Sequence, residues 1–253
     1  MPNLMRNLIL LASIACLSSF AVAESADLHV LISNGVKGAT NELLPVAEAS
    51  LKCRAVTQYN ASTVLRDKIV GGEPFDVAIL TSDVIDDLVK QGKIVAGSRV
   101  PVTRIGIGLG VRAGAAKPDI STLEALKRTL LQTKSLTFNP NGASSAYTDK
   151  IFAQLGIAEQ MKSKIILEAE SERSQKDVAD GKAEMILTLI PEVTSIPGVQ
   201  LVGPLPSEVQ KYMNFSAGVA VGSKNIESAN KLIQALTSAA AAPVFKSKGM
   251  ESR

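Results

Sequence analysis

Hydroxyl side chains at the mouths of helices are the part of this sequence best equipped to do chemistry. Ser62 and Thr63 follow a strand-like run ending at Asn60, and open a segment whose apolar positions Val64, Leu65, Ile69 and Val70 recur at helical spacing. Thr81 and Ser82 repeat the arrangement after Val77 to Leu80, and Ser144 and Ser145 do so after Asn139-Pro140-Asn141-Gly142-Ala143. Ser33, Asn34 and Gly35 close the first strand. A hydroxyl in such a place either caps an orphan N–H group or shares those groups with a bound anion; Thr81 reads as a cap. Asn34 and Gly35 offer backbone N–H groups, unless the glycine simply serves a turn that needs positive φ. Arg104 and Arg173 matter for a second reason. The guanidinium fork suits a flat carboxylate, so an organic acid is the expected ligand if either points into a cleft; otherwise both are solvated surface arginines.

Other chemistry lacks parts. His29 is the single histidine, and its place inside the first strand reads as an interior residue. There is no HExxH run, nucleophile elbow or Cys/His set, so neither a metal site nor a cofactor is expected. Glu172, Glu170 and Tyr147 are groups that could exchange a proton with a ligand. The bland reading of those carboxylates is helix-start residues favoured by the dipole.

The envelope fits a globular, exported chain. Its 253 residues are 46% hydrophobic and 20% charged, enough for a sizeable core. Arg6, an apolar run from Leu8 to Phe20 and Ala21-Val22-Ala23 read as a cleavable signal over residues 1–23. A lipoprotein alternative rests on Cys16, but Ser13 is a poor residue three places before a lipidated cysteine. No other apolar run could span a bilayer. The remainder carries 26 basic and 24 acidic residues, a balance with no footprint for nucleic acid or membrane. The lack of Trp argues against a base-stacking or sugar-stacking surface. Cys53, left alone, reads as a buried hydrophobe.

From Asp27 strand and helix patterns alternate, which predicts an α/β fold with parallel sheets and right-handed crossovers. Pro45 predicts a kink or a later start in the helix from Lys37 to Ala49. Ser121 is the expected cap of the helix through Leu126, and Gly203-Pro204-Leu205-Pro206 reads as a connection. The alternating glycines of Arg104 to Val111 leave one face bare, which predicts close approach of another backbone. Two βα series part near residue 103 and the chain returns near 205–214, giving an expected lobe 1 of residues 24–103 plus 207–253 and lobe 2 of 104–206.

Ser33-Asn34-Gly35, Asn60-Ala61-Ser62-Thr63, Phe75-Asp76-Val77-Ala78-Ile79, the strand opened by Arg104 and the closing Ala-Ala-Pro-Val-Phe-Lys-Ser-Lys-Gly-Met segment together resemble the periplasmic molybdate-binding-like proteins. These are substrate-binding components of ATP-driven importers, and the resemblance covers essentially the whole mature chain. It implies a two-lobed, type II-like binding-protein fold with a ligand cleft between lobes. It also implies a periplasmic location, a small anionic ligand and an inner-membrane permease as partner, with a monomer expected. Ser62 matches one oxyanion-binding serine of the family. The other serine falls at Gly35, the family's tyrosine falls at Ile190, and Glu172-Arg173 stand near Ser174, where backbone N–H groups would be offered. Those departures favour an organic carboxylate over molybdate. Val111-Arg112-Ala113-Gly114, Lys117-Pro118-Asp119-Ile120-Ser121 and Val202-Gly203-Pro204-Leu205-Pro206 resemble a branch that includes an aconitate isomerase. The expectation is therefore a binding protein, with an isomerase using Glu172 as the alternative.

Overall fold

Strand β1 (Asp27–Ser33) buries Leu28, Val30 and Ile32 on one face and Leu31 and Ser33 on the other, with Asp27 and His29 exposed, and lies in the interior of the sheet between two partners. A 3-10 turn at Asn34–Val36 leads to α1 (Lys37–Leu51), then β2 (Arg54–Asn60), α2 (Ser62–Val70), β3 (Val77–Thr81) and α3 (Ser82–Lys90). β2 and β3 flank β1 in parallel, with Ser33 opposite Asn60 and Ile32 opposite Ile79. All three strands therefore end at one edge, where the helix mouths lie. The computed structural model describes residues 27–170 and 172–252. The expected signal segment and Cys16 lie outside the described residues.

β4 (Val100–Arg112) is the long strand that joins the two halves of the sheet. After it come α4 (Leu123–Gln132), β5 (Leu136–Phe138), α5 (Ser145–Gln154), α6 (Ala158–Lys162), β6 (Ile165–Leu167), α7 (Arg173–Ala179), β7 (Met185–Leu189), α8 (Ile190–Val193) and β8 (Val199–Pro204). The chain closes with β9 (Tyr212–Val219), α9 (Ile226–Leu236), α10 (Ala242–Ser247) and β10 (Glu251–Ser252). The strand order is β2-β1-β3-β9-β4-β7-β5-β6, with β8 and β10 also paired to β4. Up to Gly106, β4 pairs with β9; from Ile107 onward it pairs with β7, and from Gly108 with β8. The β7-β5-β6 trio is parallel, as is β2-β1-β3, whereas β9, β4, β8 and β10 run antiparallel to their neighbours.

Several local expectations are corrected. α1 starts at Lys37 rather than later, and runs through Pro45, which is exposed. Thr122, not Ser121, caps α4 by accepting from the Ala125 N–H at 3.1 Å; the Ser121 hydroxyl donates to Asp119 at 2.7 Å instead. Residues through Pro204 belong to β8 rather than to a connection. His29 is exposed on β1, and its backbone N–H donates to Asp76 Oδ2 at 2.9 Å. Cys53 is buried as expected, and burial pushes its thiol pKa up, with Glu48 adding to the effect.

The bare face of β4 is filled mainly by side chains. A Cβ at Gly110 would lie 2.5 Å from Val193 Cγ1 and 2.8 Å from Ile186 Cγ2, and one at Gly108 would lie 2.9 Å from Ile190 Cγ1. The backbone approach is limited to the Gly203 carbonyl, 3.2 Å from the Gly108 position. These glycines let the short helix α8 sit directly on the strand. A G110A variant is therefore expected to lose about 1–3 kcal/mol of stability through overpacking, read from urea unfolding midpoints at unchanged slope.

Candidate functional site

The carboxyl ends of β1 and β2 face those of β5 and β7 across a small cavity of about 40 Å³. Ligands in open α/β sheets sit at such carboxyl edges. One wall carries Ser33, Asn34, Lys37 and Ala61; the facing wall carries Asn139, Glu172, Ser174, Gln175, Thr188 and Glu192. By the usual measure of about 10–15 Å³ per water-sized probe, the space holds one compact group such as a carboxylate or tetrahedral oxyanion.

Lys37 is the one cation lining it among the described residues. It occupies the first position of α1, the end of a helix where a positive charge is disfavoured by ~0.3–1 kcal/mol. The contacts that hold it there come from outside the helix. Its Nζ lies 2.7 Å from Glu172 Oε1 across the cavity and 5.7 Å from the Tyr59 ring centroid. Glu172 in turn has φ of 62°, a left-handed conformation costing about 1–2 kcal/mol for a non-glycine residue. The backbone strain and the ion pair meet at one point on the cavity wall.

Glu192 projects from α8, and its Oε2 accepts from the Thr188 hydroxyl at 2.5 Å. Burial pushes its carboxyl pKa up, against the lowering effect of the Thr188 hydroxyl and the Leu189 N–H. It forms no salt bridge among the described residues, since Lys37 is directed to Glu172. The Gln175 side chain donates to the Glu192 carbonyl at 3.1 Å and fixes α8 from behind. Ser174, 2% exposed, has a buried hydroxyl oxygen with no hydrogen-bond partner among the described residues. A buried hydroxyl without a partner costs about 1–3 kcal/mol, and this one lines the cavity, where a ligand oxygen would satisfy it.

A second cavity of about 530 Å³ adjoins the first, sharing Gly142 and Ala143 with it. Ser62, Thr63 and Ser145 line this one. Ser62 is the first residue of α2 rather than its cap, and its buried Oγ accepts from the Thr81 N–H at 3.0 Å. Thr63 Oγ1 donates to the Asn141 carbonyl at 3.3 Å, bridging the two walls. Ser145 donates to the Pro140 and Gly142 carbonyls. Ser144 is buried at the start of α5 and makes no capping bond with its side chain. Tyr147 lines the second cavity as well, with Lys150 over its ring.

Of the sequence candidates, Ser33, Asn34 and Glu172 thus line the small cavity. Gly35 lies behind it for a packing reason, not a positive φ: a Cβ there would come within 2.8 Å of both Leu189 Cδ1 and Phe215 Cζ. The arginines go elsewhere. Arg104 pairs with Glu251 of β10 at 2.5 Å and lies over the ring of Tyr212, a residue that lines the second cavity, at 4.7 Å. Arg173 Nε lies 3.3 Å from Asp177 Oδ1 on its own helix. Neither lines the cavities described. Sequence reasoning missed Lys37, Thr188 and Glu192. A lysine at the wrong end of a helix, and a Thr and Glu four residues apart after a strand, were the available signals.

No helix among the described residues is long and apolar enough to cross a membrane, and none of their acidic, Cys and His side chains cluster in a group able to hold a metal ion. The chain is 29% identical over 259 aligned residues to an aconitate isomerase of Pseudomonas sp, covering 99% of this chain and 96% of that protein. It is 23% identical to the molybdate-binding protein ModA of Azotobacter vinelandii, over 90% of each. The solved structure of the Azotobacter vinelandii periplasmic molybdate-binding protein superposes with a TM-score of 0.74 at 16% identity, covering 88% of this chain and 98% of that one. A family model matches residues 28–251, and the chain belongs to the bacterial extracellular solute-binding proteins.

Proposed function

We propose that this protein is exported to the periplasm, captures a small organic carboxylate between two lobes, and delivers it to an inner-membrane ABC permease. The observation that carries this reading is the pairing, in one small cavity, of the Lys37 ammonium with the unpartnered, buried Ser174 hydroxyl. A ligand carboxylate would take over Lys37 from Glu172 and accept from Ser174, satisfying both. The lobes are residues 24–103 plus 207–253 and residues 104–206, the change of strand partners within β4 supporting a hinge just beyond Gly106. Closure then brings Thr63 against the Asn141 carbonyl.

The test is a thermal-shift and calorimetry panel of molybdate, tungstate, sulfate, phosphate, and di- and tricarboxylates. A carboxylate at a hundred times its Kd is expected to add about 2.7 kcal/mol of stability. Stabilisation by molybdate or tungstate alone would overturn the reading.

The second reading is an isomerase interconverting cis- and trans-aconitate, and two observations favour it. One is the 29% identity to an aconitate isomerase across nearly the whole chain. The other is Glu192, a cavity carboxyl whose burial favours the protonated form. In its ionised form a carboxylate whose pKa is raised is the stronger base: it can take a proton from the substrate methylene, let the double bond shift, and return that proton to the other allylic carbon. Glu172, the base expected from the sequence, is held in an ion pair with Lys37 at 2.7 Å. Absorbance of each isomer incubated with purified protein separates the readings, since a pure binder leaves the ratio unchanged.

A further inference from the structure

The 40 Å³ cavity has room for one carboxylate but not for the carbon skeleton of an organic acid, so the rest of such a ligand must extend out of it. Two neighbouring cavities share its lining. The one reached past Gly142 and Ala143 has mixed charge: Arg66, paired with Asp67 at 2.8 Å, and Asp83. The other, about 500 Å³, is reached past Asn34, Lys37 and Ser195. It is lined by Lys37, Lys246 and Lys248, and no Asp or Glu lines it among the described residues.

Three ammonium groups on one concave surface repel each other, in a chain whose total charge is only +3. Lys37 and Lys248 have counter-charges, Glu172 at 2.7 Å and Glu42 at 3.0 Å; Lys246 has no ion pair among the described residues. A lysine in the last turn of α10 suits the helix dipole, and Lys246 alone would need no other explanation. Lys248 is the residue that closes α10, so the same dipole favours it; what the dipole does not account for is that both lysines line one groove with Lys37. Asn41 and Thr194 add neutral hydrogen-bonding groups to its walls. Two of its lining segments meet closely: a Cβ at Gly249 would sit 2.7 Å from Ile190 Cγ2 of α8.

We propose that this groove is a second anion subsite, in which Lys246 and Lys248 receive another carboxylate of the ligand whose first carboxylate sits at Lys37. The inference rests on the carboxylate reading above and narrows it to ligands with at least two anionic groups. Lys37, common to both spaces, bridges them. Lys246 and Lys248 are specificity-determining residues: they discriminate by the number of charges the ligand carries, while the small cavity recognises the carboxylate itself.

The test compares wild type with the double variant K246Q/K248Q by calorimetry at low salt, using trans-aconitate, citrate, fumarate and acrylate as probes. Far-UV circular dichroism and the melting temperature of the unliganded variant check its fold, which exposed lysines are not expected to disturb. Wild type is expected to bind the tricarboxylates most tightly. The double variant should lose tenfold or more for them, with a smaller loss for fumarate and under twofold for acrylate. Raising salt should weaken tricarboxylate binding to wild type more than to the variant. Equal tricarboxylate affinity in the two proteins overturns the subsite while leaving the carboxylate reading intact. An equal loss for all probes also overturns it, because it assigns the lysines to general field effects. Failure of wild type to bind any of the four overturns the carboxylate reading and the subsite with it.

Discussion

K37Q is expected to weaken binding of the tightest wild-type carboxylate about thirtyfold, with little change in the stability of the unliganded protein. The binding loss follows from charge. Removing one partner of a desolvated charge pair costs about 2–5 kcal/mol, and the lower end applies because the Lys37 side chain keeps 35% of its exposure. At 1.4 kcal/mol per factor of ten, about 2 kcal/mol is near thirtyfold. Stability moves little because two small effects oppose: the variant loses the 2.7 Å pair with Glu172 but relieves a cation at the start of α1. E172Q is the informative companion. It removes the internal competitor for Lys37, so ligand affinity should hold or rise, whereas a purely structural ion pair would make both variants behave alike. Calorimetry of both, with melting temperatures as the fold check, separates these outcomes.

E192Q is expected to flatten the dependence of stability on pH. The Glu192 carboxyl is buried and its folded pKa lies above the value in the unfolded chain. Below the unfolded value both states are protonated and the folded state bears no penalty. As pH rises past the unfolded value, the unfolded chain releases its proton while the folded one keeps it. Stability therefore declines through the interval up to the raised folded pKa and levels off above it. Each unit of displacement is worth about 1.4 kcal/mol, or ~2–4 °C in Tm for a domain of this size. Glutamine keeps the shape and the bond from Thr188 but cannot ionise, so the decline should shrink. An E192Q melting curve parallel to wild type from pH 4 to 8 would show that Glu192 ionises freely. If the isomerase reading holds, the same variant should also abolish turnover while still binding trans-aconitate.

The α/β alternation, the parallel βαβαβ start and most element positions were legible in the residues, because hydrophobic periodicity is a local property. Leu65 and Ile69, four apart, form the buried face of a helix, and Val77 to Leu80 an interior strand. The hydroxyls at helix mouths were legible too, and Ser33 does line the small cavity. Other points lay beyond local reading. That the glycines of β4 admit α8 depends on Val193 and Ile190, more than eighty residues further along the chain. That Arg104 is engaged by Glu251 rather than lining the small cavity depends on a residue 147 positions further along.

What the sequence determined by itself is the kind of molecule: alternating strands and helices, with polar groups where strands turn into helices. What only the tertiary structure decided is which of those groups share a space. Lys37 and Glu172 are separated by 135 positions and meet at 2.7 Å, and no periodicity encodes such a meeting. The charge of a cavity is a sum over side chains that the packing of separate layers brings together. Composition fixes how many charges there are, and only the fold fixes which of them a ligand would meet.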